Sequence, residues 1–342
     1  MPDAFLSLDA KDQRDILNTC ANQTGRPAAI LEKDIWICWV LQTLFSMPGR
    51  LPMVFKGGTS LSKVYGIIDR FSEDVDITLD YRAFGEDHDP FAEGVSNNAN
   101  RKFSVRLQSY VSDHIHETVA PGLTRACKEL ATANQHDIRI DEDGEKVRFT
   151  YPSAVENPVD YLKTDVLLEF GGRNAIEPNE LHEITPDIAE LTPRLAYPKA
   201  AVTVLSPVRT FWEKATLIHV ECHRRRLAAS PDRLSRHWFD LASIASHETG
   251  RATLNDRGVL EDVLRYKTVF FNASYAHYDH CLDGRLRLVP DKDQLVPLKS
   301  DYEAMRLAGM IRVGAPEFDT LIDDIRNLET KANLLNAEPT HA

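Results

Sequence analysis

Residues 55–80 read FKGGTSLSKVYGIIDRFSEDVDITLD, which sets a glycine pair, Gly57 and Gly58, upstream of two aspartates, Asp74 and Asp76, in an apolar run. A β-strand has a side-chain period of two, so Asp74 and Asp76 point to one side with Cα atoms roughly 6 to 7 Å apart. Like charges held that close need a cation. Two divalent ions about 3.5 to 4 Å apart can be clamped by such a pair, an arrangement that serves in-line phosphoryl transfer by stabilising the attacking and leaving oxygens. A third carboxylate on a neighbouring strand would complete the set. Glu169 fits, on the polar face of a strand that ends in Gly171 and Gly172, and Asp165 on the same face is the competing choice. Gly57 and Gly58 offer a bare backbone to phosphate oxygens, and a helix beginning near Thr59 aims free N–H groups at the same place. Gly57, Gly58, Thr59 and Ser60 would then seat a triphosphate, with Lys63 offsetting its charge. This is not a P-loop, because no GK[ST] follows at the required spacing. An ordinary turn and a solvated acidic strand would explain each feature alone. The order strand, Gly-Gly, helix, strand with DxD favours the phosphate reading.

Periodicity predicts the elements that carry these residues. Helices are expected over 8–24 and 28–45, the second with Ile30, Ile37, Leu41 and Leu44 near the helical repeat and Pro48 and Gly49 ending it. LPMVF changes to the pattern of a short buried strand running into Gly57, and a helix with Leu61, Val64, Tyr65 and Ile68 follows. SEDVDITLDY alternates Val75, Ile77 and Leu79 against Asp74, Asp76, Thr78 and Asp80. Residues 83–99 read as a mobile loop and 102–133 as one long amphipathic helix. KVRFTYP and VDYLKTDVLLEFGGR are two further strands, the second alternating Thr164, Val166, Leu168 and Phe170 against Lys163, Asp165, Leu167 and Glu169. After VTVLSP the chain turns helical, with Ser206 as N-cap and Pro207 at the first position, and helices are expected at about 207–229, 231–247, 257–271 and 316–336. The implied organisation is a helical cap (1–50), an α/β core (51–205) and a helical C-terminal domain (206–342).

On the 207–229 helix, Val208, Phe211, Ala215, Ile218 and Cys222 form the apolar stripe and Lys214 lies beside it. A lysine there either neutralises developing pyrophosphate charge or runs its stem along the core with the ammonium in water. Asp240 reads plainly as the i, i+4 partner of Arg236. His219 and His223 enclose Glu221 as HxExH, not HExxH, so the glutamate falls on the wrong side of the helix to act as base beside a metal. AHYDHC at 276–281 holds further His and Cys but reads as a loop cap.

The totals narrow the partners. A chain of 342 residues, 43% hydrophobic and 27% charged, can bury a sizeable core, and it contains no apolar run near the roughly 20 residues that cross a bilayer. MPDAFLSLDAKDQRD is too acidic and broken for a secretory signal, so a cytoplasmic protein is expected. Cys20, Cys38, Cys127, Cys222 and Cys281 are scattered and form no CxxC, which predicts buried thiols. With a net charge of −12, a nucleic-acid partner would have to meet a local basic patch, for which CHRRRL at 222–227 is the best candidate, although a solvated helix face explains it as well.

The segment KGGTSLSKVYGIIDRFSEDVDI resembles the signature of the AbiEii/AbiGii toxin family of nucleotidyltransferases, the toxin half of many type IV toxin–antitoxin systems. EKDIWICWVL at 32–41 is similar to the family's EKD helix and LLEFGGR at 167–173 to its LEFG-type strand. FWEKATLIH at 211–219, SRHWFDL at 235–241 and PEFDTLIDDIRNLE at 316–329 resemble its downstream motifs and closing helix, so the likeness covers most of the chain. The resemblance implies an α+β fold: a polymerase-β-like nucleotidyltransferase core, a mixed sheet with flanking helices, plus a helical C-terminal domain. It further implies that the glycine turn holds the NTP substrate and that Asp74, Asp76 and Glu169 bind Mg2+ (or Mn2+). Lys214 and Asp240 would complete the nucleotide pocket. The implied acceptor is RNA, best attested as the 3′ end of tRNA, and the implied partner is a cognate antitoxin encoded nearby. In this chain the gap between the glycines and the DxD is slightly longer than in many polymerase-β relatives. Three rival readings separate by experiment: an NTP-binding toxin without covalent transfer or with a protein target, a DxD glycosyltransferase, and an acidic docking surface.

Overall fold

The structure, a computed structural model, describes residues 3–130, 132, 135–155, 165–224, 234–311 and 314–337. The chain divides into two compact units, Met1–Thr59 with Glu73–Glu86 and Val105–Val204, and Ser60–Ser72 with Asp87–Ser104 and Leu205–Ala342.

In chain order the elements up to the sheet's close are β1 (Asp3–Ala4), α1 (Ala10–Thr24), α2 (Ala28–Ser46), β2 (Met53–Lys56), α3 (Gly57–Lys63), β3 (Val75–Leu79), α4 (Asn97–His114), α5 (Ala120–Cys127), β4 (Asp137–Ile140), β5 (Lys146–Thr150), β6 (Asp165–Gly171), β7 (Asn179–Ile184), β8 (Leu195–Ala196) and β9 (Ala200–Leu205). Helix α3 passes from the first unit to the second at Ser60, and α4 passes back at Val105. Seven strands form one sheet in the order β4-β5-β6-β3-β2-β9-β7, and β1 pairs with β8 apart from it. β3 runs antiparallel to β2 and parallel to β6, while β2 runs parallel to β9, so the sheet is mixed. With its flanking helices the fold is α+β, as the sequence implied.

Local chemistry accounts for most of these elements. Asp9 caps α1 by accepting from the Asp12 N–H, and Gly25, at φ 70°, ends it in the left-handed conformation. Helix α2 is more apolar than a surface helix: every residue from Leu31 to Leu41 is buried. Its Trp36 stacks on Tyr151 and its Trp39 on Phe149, with ring centroids 5.2 and 5.1 Å apart. In β6, Val166, Leu168 and Phe170 are buried and Asp165, Leu167 and Glu169 half-exposed, the expected alternation. Lys163 and Thr164 lie outside the described residues.

Two departures have clear causes. The long helix expected over 102–133 is three pieces, with a π turn at Ile115–Val119 between α4 and α5. Pro121 has no N–H to donate to the Glu117 carbonyl, and the helix widens at that point. Strands β4 and β7 were not expected. They are the two edges of the sheet: DIRI alternates but is only four residues long with none buried, and NELHEI, buried only at Ile184, has no apolar alternation.

The second unit contains α6 (Pro207–His223), α7 (Arg236–Ser246), α8 (Glu248–Thr253), α9 (Arg257–Phe270), α10 (Lys292–Leu307) and α11 (Phe318–Ala337). Ser206 caps α6 through the Val208 N–H, with Pro207 in the first turn, as expected. Trp212, Trp238, Phe211 and Tyr302 are fully buried in the core of this unit. All five cysteines are buried free thiols.

Candidate functional site

In the first unit, β2 leads directly into α3 at Gly57, and β3 returns antiparallel beside β2 with Asp76 opposite Lys56. Gly57 has φ 79°, a conformation that favours glycine. It also lies against the acidic strand: a Cβ added there would sit 1.9 Å from Asp76 Oδ2 and 2.7 Å from its Cγ. Asp76 and Gly57 therefore occupy one packed corner. Thr59 Oγ donates to the Asp74 carbonyl at 2.5 Å, which fastens the first turn of α3 to the residue entering β3. Gly58, Thr59 and Ser60 are buried, and Lys63 is half-exposed in the last turn of α3.

Across the parallel ladder, Asp76 pairs in register with Glu169 of β6. Parallel partners share a face, so the two carboxylates project on the same side of the sheet. Lys146 of β5, in register with Glu169 from the other side, reaches its Oε1 at 2.9 Å. Hydrogen bonding to Glu169 raises the Lys146 ammonium above its usual value. Asp165 stands four residues earlier on β6, about 13 Å along the strand, where Arg148 Nη1 holds it at 3.3 Å.

The family-like EKD triplet anchors this corner. The Ala154 N–H and the Ser153 hydroxyl each donate to Glu32 at 2.6 Å. Burial pushes the Glu32 carboxyl up, and those two bonds pull against it. Lys33 Nζ meets Glu73 Oε2 at 2.5 Å with both side chains more than nine-tenths buried. The Asp187 N–H donates to Asp34 Oδ2 at 2.7 Å. Glu73 immediately precedes Asp74, so the buried Lys33–Glu73 pair fixes where the acidic strand begins. Nothing in the spacing of the sequence indicated that pairing.

In the second unit, Asp240 of α7 is fully buried and lies under two cations. Arg70 grips it with both prongs, Nε to Oδ1 at 2.6 Å and Nη2 to Oδ2 at 2.8 Å, and Lys214 Nζ reaches Oδ2 at 2.8 Å. Burial alone would raise the Asp240 carboxyl, but Arg70 and Lys214 outweigh it and hold the group well below the usual range. Burial lowers the Lys214 ammonium, with Asp240 opposing. Arg70 is 170 residues away in sequence, a partner that the i, i+4 reading of Asp240 with Arg236 does not anticipate. Lys214 is thus tied to a carboxylate, not extended into water.

The same unit draws together the two histidine motifs. His219 and His223 of α6 meet His277 and His280 of the 276–281 segment, with ring centroids 4.5 Å (His219–His223), 4.9 Å (His223–His277) and 5.0 Å (His277–His280) apart. Of the basic run at 222–227, Arg224 pairs with Glu221 and covers the Tyr275 ring, and Arg225 and Arg226 lie outside the described residues. Among the described residues no helix is long and apolar enough to cross a membrane.

Comparison with known proteins adds identity to this geometry. No curated protein matches the chain by sequence. Among solved structures it is similar to MenT4, a nucleotidyltransferase toxin of Mycobacterium tuberculosis H37Rv, at 16% identity and a TM-score of 0.47, over 95% of this chain and 93% of that one. The sequence profile described as "Nucleotidyl transferase AbiEii toxin, Type IV TA system" matches residues 39–324. That span is well over half of the 342 residues, and the chain belongs to the AbiEii family of nucleotidyltransferase toxins of type IV toxin–antitoxin systems.

Proposed function

We propose that this nucleotidyltransferase moves a nucleoside monophosphate from an NTP onto an RNA hydroxyl, at the 3′ end of tRNA, and that the transfer inhibits growth in the cytoplasm until the antitoxin counters it. The observation that carries the reading is the packed corner: the Gly57 backbone lies against the Asp76 carboxylate, and Asp76 faces Glu169 across the ladder.

The donors of that corner are carboxylate oxygens, which suit Mg2+ or Mn2+ better than softer ions. Asp74, Asp76 and Glu169 would hold the metal, with Glu169 favoured over Asp165 because it is the residue in register with Asp76. A bound divalent ion supplies charge neutralisation for the polyphosphate and acidifies the attacking hydroxyl. Gly57 and Gly58 let phosphate oxygens reach the backbone, and Thr59 and Ser60 hold the turn in place from inside the fold. In the transfer, the acceptor oxygen bonds to the α-phosphorus, the bond from that phosphorus to the bridging oxygen breaks, and pyrophosphate leaves. Glu169 takes the acceptor's proton. The same reading gives Lys63 and Lys214 the charge of the polyphosphate and Asp240 the holding of Lys214, assignments that rest on the family match.

The test is incubation of the full chain with each α-labelled NTP, Mg2+ and total RNA. Label should enter RNA in wild type, and Asp74→Ala or Asp76→Ala should abolish it and relieve growth inhibition. Wild-type labelling by either variant would refute the carboxylate assignment. Label in protein but never in RNA would overturn the acceptor.

A further inference from the structure

Outside the carboxylate corner, the second unit gathers nitrogen donors. The ligand atoms of His219, His223 and His280 lie within 4.8 Å of one another, and so do those of His277, Asp279 and His280. The two sets share His280, so one cluster contains the two helix-borne histidines and the 277–280 turn. We propose that His223, His277, His280 and Asp279 bind one Zn2+ ion that ties α6 to this turn, separate from the magnesium-type site and independent of the reaction proposed above.

Three features of the cluster support this assignment. First, His223 Nε2 is buried and has no hydrogen-bond partner among the described residues, and a buried polar nitrogen in that state calls for a ligand. Second, His277 is held in the left-handed region at φ 43° and ψ 44°, which a non-glycine residue adopts at a cost. That backbone turns the 277–280 segment back toward α6. Third, His219 explains how the turn is held. Its Nε2 donates to the His277 carbonyl at 3.1 Å and its Nδ1 accepts from the Arg287 N–H at 2.9 Å. Both of its nitrogens are committed to backbone, so His219 is a positioning residue and the other side chains are the ligands.

The donor chemistry selects the metal. Imidazole with one carboxylate suits zinc and its neighbours, whereas magnesium prefers an all-oxygen shell. At Zn–N distances of about 2.0–2.1 Å, tetrahedral ligand atoms stand roughly 3.4 Å apart. Within each of the two triplets the ligand atoms must close by about 1.4 Å at most, a rotamer-scale change, and the His223 and His277 rings that join them have centroids 4.9 Å apart. A 540 Å³ cavity in this unit, lined by His277 and Asp279, gives an ion a route in from solvent.

The experiment uses the purified full chain, stripped with chelator and titrated with Co2+ as the probe, then back-titrated with Zn2+. One equivalent of Co2+ should give the intense visible bands of tetrahedral nitrogen ligation, which an all-carboxylate octahedral site does not produce, and Zn2+ should displace it. His223→Asn and His280→Asn should each weaken Zn2+ binding by at least about tenfold, the lower end of what losing even a supporting partner costs. His116→Asn, in the other unit, should bind as wild type. Zn2+ should raise the melting temperature of wild type and not of the His280→Asn protein, whose substitution lies in a short surface turn. Absence of the tetrahedral spectrum in wild type, or Zn2+ affinity equal to wild type in both ligand variants, would overturn the assignment and leave adventitious surface binding only.

Discussion

Gly57 is where backbone conformation and chemistry meet. Alanine there pays for a positive φ, about 1 kcal/mol, and in addition drives its methyl into the Asp76 carboxylate. Gly57→Ala should therefore lower transfer at least about a hundredfold, more than a backbone cost of that size explains at a tenfold change per 1.4 kcal/mol. Labelled transfer read beside a thermal melt checks this, and a protein that melts early yet transfers normally would break the link between turn and carboxylate. The proximity was legible in outline, because a strand, two glycines, a helix and a DxD strand in that order can close only if the strands pair. The identity of the neighbours was less so. Lys146 reaches Glu169 through a strand register that no local spacing encodes, and Arg70 reaches Asp240 across 170 residues. Arg236 is the nearer choice on a helix face, but helix spacing says nothing of the two-pronged guanidinium that the core brings to Asp240.

At the level of elements, α2 is the frame for the acidic strand. Lys33→Ala removes the cation buried beside Glu73 and should cost about 3 kcal/mol of stability. Replacing both residues by apolar ones of similar size should recover much of that loss. Urea unfolding of the single and double variants measures the difference. The α6–α7 contact makes a pH-dependent contribution. Because Asp240 is held below its ordinary value in the folded chain, the stabilisation it brings is complete above the unfolded value of about 3.9 and is lost as pH falls through the folded one. Unfolding free energy should drop steeply in strong acid for wild type and less steeply for Asp240→Asn. Equal curves would show that the Arg70–Asp240–Lys214 cluster adds nothing. An inactive Asp240→Ala protein is accordingly no proof of a catalytic role until its fold is checked. Legibility at this scale followed burial pattern and capping. Helices α6, α9 and α11 announce themselves by period, whereas α10 contains Pro297, and its start shows only in the Asp291–Gln294 capping box. Helix α8 is a short turn with no apolar stripe.

For the whole molecule, charge is the governing quantity. A chain carrying −12 repels polyanions in general, so an RNA acceptor has to be gripped through few, local contacts. Raising KCl should increase KM for RNA while leaving KM for the NTP nearly unchanged, because the seat proposed for the NTP is a metal and a backbone turn. Parallel shifts in both constants would speak against a separate acceptor surface. Composition made that constraint plain from the outset, and the family resemblance implied the α+β class, where the order of elements alone read as a helical cap, an α/β core and a helical C-terminal domain. The edge strands are hard to read in the sequence because DIRI keeps the apolar rhythm for only four residues and NELHEI, mostly exposed, has no need of it.

Successive side chains on a single turn of α2, Glu32, Lys33 and Asp34, grip three separate stretches of chain at Ala154, Glu73 and Asp187. That turn acts as a keystone. Alleles selected for survival of the host should gather there as well as among the carboxylates, and the keystone alleles would be temperature-sensitive, inert in warm cultures and poisonous again in the cold.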